Sequence, residues 1–163
     1  MAEQNETAAE TEKTTVPVFR LEKLYVKDLS FESPNAPDVF FLKEQEPKVD
    51  MNLKLTNKKI DDKHWEVCLE VSATVTDNKS GKTMMIVEIE HAGAFLMDNI
   101  PAEHIEQVLY VDCPTIIFPY SRQIVSQTSL EGGFMPFYMD PINFLAMYHS
   151  RKQQAAQQEQ PAN

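Results

Sequence analysis

Positive charge is scarce in this chain. Its 163 residues carry 15 Lys and Arg against 25 Asp and Glu, a formal net charge of −10. Nucleic acid and anionic membrane surfaces are held by cationic side chains that displace counterions, so neither is expected as a partner. A basic protein surface is a suitable one. The only cysteines, Cys68 and Cys113, stand far apart. That spacing suits a reducing, cytoplasmic setting better than a disulfide framework. No apolar run approaches the roughly 18 residues of a membrane-spanning helix. No basic region followed by an apolar run marks a secretory signal. Internal repeats are absent, as are G-x-G-x-x-G, P-loop and G-x-S-x-G motifs.

The chemistry-bearing residues do not converge either. His64 and Cys68 share a strand-like stretch but would lie about 13 Å apart along it, too far to share a zinc ion. His91 and His104 have no partner at ligand spacing, and His149 lies near the C-terminal tail. Cys113 precedes Pro114 and reads as a small packing residue. The strand carboxylates face solvent, where general acid work is disfavoured. Neither a catalytic residue, a metal nor a cofactor is expected.

The two ends are polar: "MAEQNETAAETEKTT" and the Gln-rich "RKQQAAQQEQPAN". Residues 1–15 and 151–163 therefore read as disordered tails around one domain, 16–150. Within it, residues 18–32 alternate imperfectly. Phe19, Leu21, Tyr25, Leu29 and Phe31 fall on one face; Arg20, Glu22, Asp28, Ser30 and Glu32, with Leu24 and Val26, fall on the other. Residues 48–56 and 64–76 alternate cleanly, "DNKSGK" forms a turn, and 83–96 is a fourth strand.

The period then changes. Asn99 reads as a cap and Pro101 as the first turn of a helix that Pro114 interrupts. A second helix runs to Leu130 with Ile117, Tyr120, Ile124 and Thr128 along one side, and Pro119 in its first turn or kinking it. Gly132 and Gly133 end it. Asp140 and Pro141 start a last amphipathic helix with Phe144, Leu145, Met147 and Tyr148. Strands first and helices afterwards predict an α+β fold: a four-stranded antiparallel sheet with C-terminal helices packed on one face.

Two features exceed what a plain core needs. The polar face gathers Asp28, Glu32, Asp50, Glu66, Glu70, Glu88 and Glu90. A flat sheet of one charge is a dock for a basic partner, against the blander reading of a solvated face. Apolar residues also crowd two loops, Val39–Leu42 after "SPNAP" and "FMPFYM" before the last helix. Contiguous apolar surface marks interaction, and Met and aromatic side chains adapt to many partners.

The stretches "YVKDLSFESPNAPDVF", "AGAFLM" and "CPTIIFPYSRQIVSQTSLEGGFMPFYMDPINF" strongly resemble the SecB family of bacterial protein-export chaperones. The resemblance spans roughly residues 17–150. It implies a cytoplasmic homotetramer, a dimer of dimers, that binds unfolded precursor proteins in apolar grooves without ATP. It further implies delivery to SecA, the export motor, with no enzymatic activity and no cofactor. In the family the segment after Pro-Asn-Ala-Pro is a crossover loop walling the client groove. The resemblance thus places Val39, Phe40, Phe41 and Leu42 in that groove, with Val49, Met51 and Leu53 from the second strand. Phe137 and Phe144 complete the candidate groove. Family contacts to SecA correspond to Asp28, Glu32, Ile86 and Glu88. A tryptophan often precedes the proline matching Pro47 in the family; "KEQEP" has none, and Phe41 stands nearby. The competing reading is a non-enzymatic adaptor whose apolar loops serve self-assembly only.

Overall fold

The computed structural model describes residues 16–158. The expected tail at 1–15 and residues 159–163 lie outside the described residues. Four long strands, β1 (Val18–Glu32), β2 (Pro47–Lys59), β3 (His64–Asp77) and β4 (Thr83–Asp98), form one antiparallel sheet in the order β1-β4-β3-β2. Alternation in β2, β3 and β4 sends Val49, Leu53, Val71, Val75, Met85, Val87 and Ile89 to one side, where the helices lie. The carboxylates of these strands, buried Asp77 at the end of β3 excepted, go to the other. His91, on the helix side of β4, places its Nδ1 2.9 Å from the Ser121 hydroxyl on the covering helix. Leu69, Ile89, Phe95 and Ile117 are sealed in the core. Each such side chain contributes roughly 1.5–3 kcal/mol by leaving water.

β1 departs from the sequence expectation. Its register against β4 slips between Leu21 and Lys23 and again between Val26 and Asp28. Glu22 and Lys27 are thus extra residues, two β-bulges that reverse the alternation between them. Leu24 and Val26 pair with Gly93 and His91 and face the helices, while Tyr25 pairs with Ala92 and faces outward. The expected assignment of these three residues is therefore inverted. Past the second bulge the parity is restored, so Asp28 and Glu32 share the outer face as expected.

The helical region also differs. The chain runs through α1 (Ala102–Gln107), a π-helical turn (Val108–Asp112) and α2 (Cys113–Glu131), with helical φ and ψ retained at each join. Pro114 does not break the run: it falls in the first turn of α2, after a wide turn in which one fewer regular hydrogen bond is needed. Pro119 sits inside α2 rather than in its first turn. Asn99 is not a cap; it takes φ of 55°, a left-handed conformation asparagine tolerates. The buried face of α2 is Ile117, Ser121, Val125 and Ser129; of the expected side only Ile117 is fully buried, while Ile124 and Thr128 are half-buried beside β1 and Tyr120 is exposed. Its serines let the helix sit close. The Ser129 hydroxyl donates to the Ser126 carbonyl (2.8 Å) and accepts from the Phe137 N–H (2.8 Å), so it is satisfied in the core.

The last helix, α3, spans Phe144–Gln158. It starts later than Asp140: Met139 is buried as an anchor and residues 140–143 are not helical. Asn143 caps it, its Oδ1 accepting the Ala146 N–H at 2.9 Å. It also continues beyond residue 150, where Gln, Ala, Arg and Lys are good helix formers. Residues 151–158 are helical, not a structureless tail.

α2 stops at Gly132 and Gly133 as the sequence indicates, Gly133 taking φ of +85°. Gly132 has an ordinary φ but no room: a β-carbon there would lie 2.0 Å from Cζ of Phe31. Gly132→Ala should therefore cost about 1–3 kcal/mol through overpacking. The midpoint of urea unfolding reads the loss, and Phe31→Leu added to it should recover part. No shift in the midpoint would show that the Phe31 ring yields freely.

Candidate functional site

The segment after β1 is apolar because it is half anchor and half surface. Asp38–Phe41 form one short 3-10 turn. The Asn35 amide donates to the Thr83 carbonyl (2.9 Å) and the Ser33 hydroxyl to the Met84 carbonyl (3.0 Å), tying the loop to β4. Val39 then plugs the core at 0 % exposure. It cannot line a groove, and the expectation that it does is corrected: it fixes the loop from beneath. Leu42 is partly buried against the same core. Phe40 is 41 % exposed and Phe41 80 %. Phe40 packs against Phe134 from the loop after α2, ring centroids 5.0 Å apart, and Phe134 lies 6.3 Å from Phe31.

This packing opens a cavity of about 580 Å3. The crossover loop supplies Phe40, β2 supplies Pro47 and Val49, the β3–β4 hairpin supplies Val75, Met84 and Met85, and the loop before α3 supplies Phe134 to Phe137. A smaller hollow of about 180 Å3 lies further along β2, between Leu53, Leu55, Tyr110, Phe144, Met147, Tyr148 and Arg151. The structure thus brings Phe40, Val49 and Phe137 together in the first, and Leu53 and Phe144 in the second. Met51 lies between them on the same face of β2, 43 % exposed. Phe41 lines neither cavity and stands proud of the loop. From Val49 to Leu55 the β2 row covers about 20 Å, the length of some six extended residues. Leu55 and Tyr110 were missed as site residues. Leu55 was signalled, being the next position in the alternating row; Tyr110 was not, because only the docking of α3 brings it there.

The opposite face of the sheet carries the charge. Glu32 lies across from Ile86, Ser30 from Glu88 and Asp28 from Glu90. Several other carboxylates are occupied. Lys54 pairs with Glu70 at 3.0 Å. Glu66 accepts from the Tyr25 phenol and, at 2.9 Å, from Lys27. Those two bonds hold the Glu66 carboxyl below the usual range, while burial, then the bond to Glu66, pushes the Tyr25 phenol up to about 12. Asp28, Glu32, Glu88 and Glu90 are exposed and take part in no ion pair among the described residues. Together with Ile86 they make a compact acidic patch across β1 and β4 whose own carboxylates form no direct ion pair among the described residues.

Cys68 and Cys113 are free and buried. Burial pushes the Cys68 thiol up to about 11 and that of Cys113 still higher, so neither is poised as a nucleophile at neutral pH. Among the described residues no three His, Cys, Asp or Glu side chains converge as metal ligands would.

Residues 12–155 match the family model described as preprotein translocase subunit SecB. The chain is 55 % identical over 163 residues, all of both chains, to the protein-export protein SecB of Desulfotalea psychrophila. It is 48 % identical over 156 residues to that of Magnetococcus marinus, with 96 % of each chain covered. Among solved structures it resembles a SecB-like chaperone of Mycobacterium tuberculosis, determined in complex with a peptide from an antitoxin. That likeness has a TM-score of 0.64 at 12 % identity and covers 76 % of this chain and 90 % of the other, which shows a shared fold.

Proposed function

The chain belongs to the SecB family, and from that premise we propose that it holds unfolded precursor proteins in the row of apolar hollows along β2 and hands them to SecA through the acidic outer face. The family is one of protein-export chaperones, not of enzymes. The observation that carries the groove assignment is the 580 Å3 apolar cavity, walled by two loops and floored by the sheet. A folded protein gains nothing by leaving Phe40, Val49 and Met135 in water; an extended client that covers them does, at about 25 cal/mol per Å2. The site offers no ordered set of polar groups to read a sequence, so clients share only extended backbone and apolar side chains. Several weak contacts along one chain then add through effective concentration. The chaperone acts in the cytoplasm as a homotetramer, a dimer of dimers. Supporting assembly are the exposed apolar residues Val26 and Leu29 of β1, which line one hollow with Tyr120 of α2. They lie outside the groove and need cover of their own.

The test is dilution of a denatured precursor into buffer containing the protein and no ATP. Aggregation should be suppressed at near-stoichiometric ratio, and light scattering should give about four times the subunit mass of 18.7 kDa. Aggregation unaltered by the protein would sink the chaperone reading. A protein of the expected mass with no effect on the precursor would favour self-assembly as the sole use of the apolar loops.

A further inference from the structure

The cavity wall formed by Gln45 and Pro47 belongs to the returning end of the crossover loop, and one buried carboxylate grips it there. Asp77 is the last residue of β3 and is 1 % exposed. It stands opposite Pro47 in the ladder. Proline has no N–H, so the ladder has no donor at that position. Instead the Glu46 N–H, one residue earlier, donates to Asp77 Oδ1 at 2.7 Å. The Glu46 carbonyl accepts from the Asn78 N–H at 2.8 Å. Both backbone polar groups of Glu46 are thereby bound to the β3–β4 turn. Glu46 is also the residue between Gln45 and Pro47, which both line the cavity. The other oxygen, Oδ2, accepts from the Ser80 N–H (2.8 Å) and hydroxyl (2.5 Å). These bonds, the Ser80 hydroxyl first, hold the Asp77 carboxyl below its usual range. Lys79, from the same turn, reaches Glu44 at 2.6 Å and Glu46 at 3.5 Å.

We propose that Asp77 is a positioning residue for the client groove: it clasps the end of the crossover loop to the β3–β4 turn and so holds the Gln45–Pro47 wall at the distance an extended chain requires. The inference rests on the cavity being the client site. Its two oxygens have separable jobs: Oδ1 holds the loop, and Oδ2 only shapes the turn. Without the Oδ1 bond, the loop keeps the Asn78 N–H bond to the Glu46 carbonyl, a single backbone tether, and the Lys79 ion pairs to Glu44 and Glu46, which are exposed and weak. The Gln45 amide still reaches the Val39 carbonyl at 3.0 Å, within the loop itself. The wall then samples open positions, and binding loses the share of molecules in which it is closed.

The experiment compares Asp77→Ala, Asp77→Asn and Ser80→Ala, measuring affinity for a permanently unfolded polypeptide, amide exchange along residues 43–48 and assembly mass. Asp77→Ala should weaken client binding about tenfold and speed exchange at Glu46 by more than tenfold, at unchanged mass. Asp77→Asn keeps a carbonyl oxygen for the Glu46 N–H and should restore most of the affinity. Ser80→Ala removes turn bonds without touching the clasp and should bind like the parent. A merely structural role would make Ser80→Ala and Asp77→Asn as damaging as Asp77→Ala, which overturns the inference. So does parental client affinity in Asp77→Ala. A parent chain that binds no unfolded polypeptide overturns the chaperone reading and this inference with it.

Discussion

Phe40→Asp combined with Val49→Asp should weaken the binding of an unfolded client about a hundredfold, with the assembly keeping its mass. Both residues are substantially exposed and line the large cavity from opposite elements, the crossover loop and β2. Neither is sealed in the core, so the substitutions spare the fold's buried cluster, although Phe40 gives up its contact with Phe134. A client side chain lodged between them buries on the order of 100 Å2 of apolar area, worth about 2.5 kcal/mol, and a hundredfold in affinity is about 2.7 kcal/mol. The carboxylates add to the loss, because a client covering them must strip their water. Titration of a labelled, permanently unfolded polypeptide measures the change, and light scattering confirms the mass. Parental affinity in an intact assembly would move the client site off this cavity. Phe41→Asp is the useful contrast: its side chain lines neither hollow, so its effect should be much smaller.

The second large effect concerns the outer face. Asp28→Lys with Glu32→Lys reverses two of the four carboxylates that no cation neutralises among the described residues, and it does so beside Ile86 and Glu88. Binding of SecA should drop more than tenfold at low salt, mostly through slower encounter. Exposed charges are screened over about 8–10 Å at physiological ionic strength, so raising the salt should shrink the gap between parent and variant. Client binding on the other side of the sheet depends on apolar burial and should change little with either the substitutions or the salt. Titrating SecA and an unfolded client against both proteins at two salt concentrations separates the two surfaces. Equal SecA affinity for parent and variant, or joint loss of both activities, would remove the acidic patch as the dock.

Much of this arrangement is legible in the chain itself. Strict alternation in β2, β3 and β4 states which side chains share a face, because a strand's side chains have a period of two whatever lies next to it. The row Val49, Met51, Leu53 and the outward Glu66, Glu70, Glu88 and Glu90 follow from that alone. The end of α2 at Gly132 and Gly133 is legible from glycine's place at helix ends, and the family from the resemblance of whole stretches such as "SPNAPDVF".

Other features could only come from packing. The bulges at Glu22 and Lys27 exchange the faces of Leu24, Tyr25 and Val26, and nothing in β1 alone says that β4 will be one residue short at each point. Val39, Phe40 and Phe41 are consecutive and all apolar, yet one plugs the core while the others meet solvent. Ser121 and Ser129 lie in the core though their hydropathy does not mark them for it; the partners that bind their hydroxyls, His91 and Phe137, come from distant segments. The sequence by itself determined the four strands, the faces of β2, β3 and β4, the end of α2 and the family. The tertiary structure alone decided that β1 lies beside β4, which sets Glu32 across from Ile86, and that two loops close over β2 to make a cavity. The reason is physical: periodicity is a property of each segment, whereas neighbours, bulges and hollows depend on what packs against what across the whole chain.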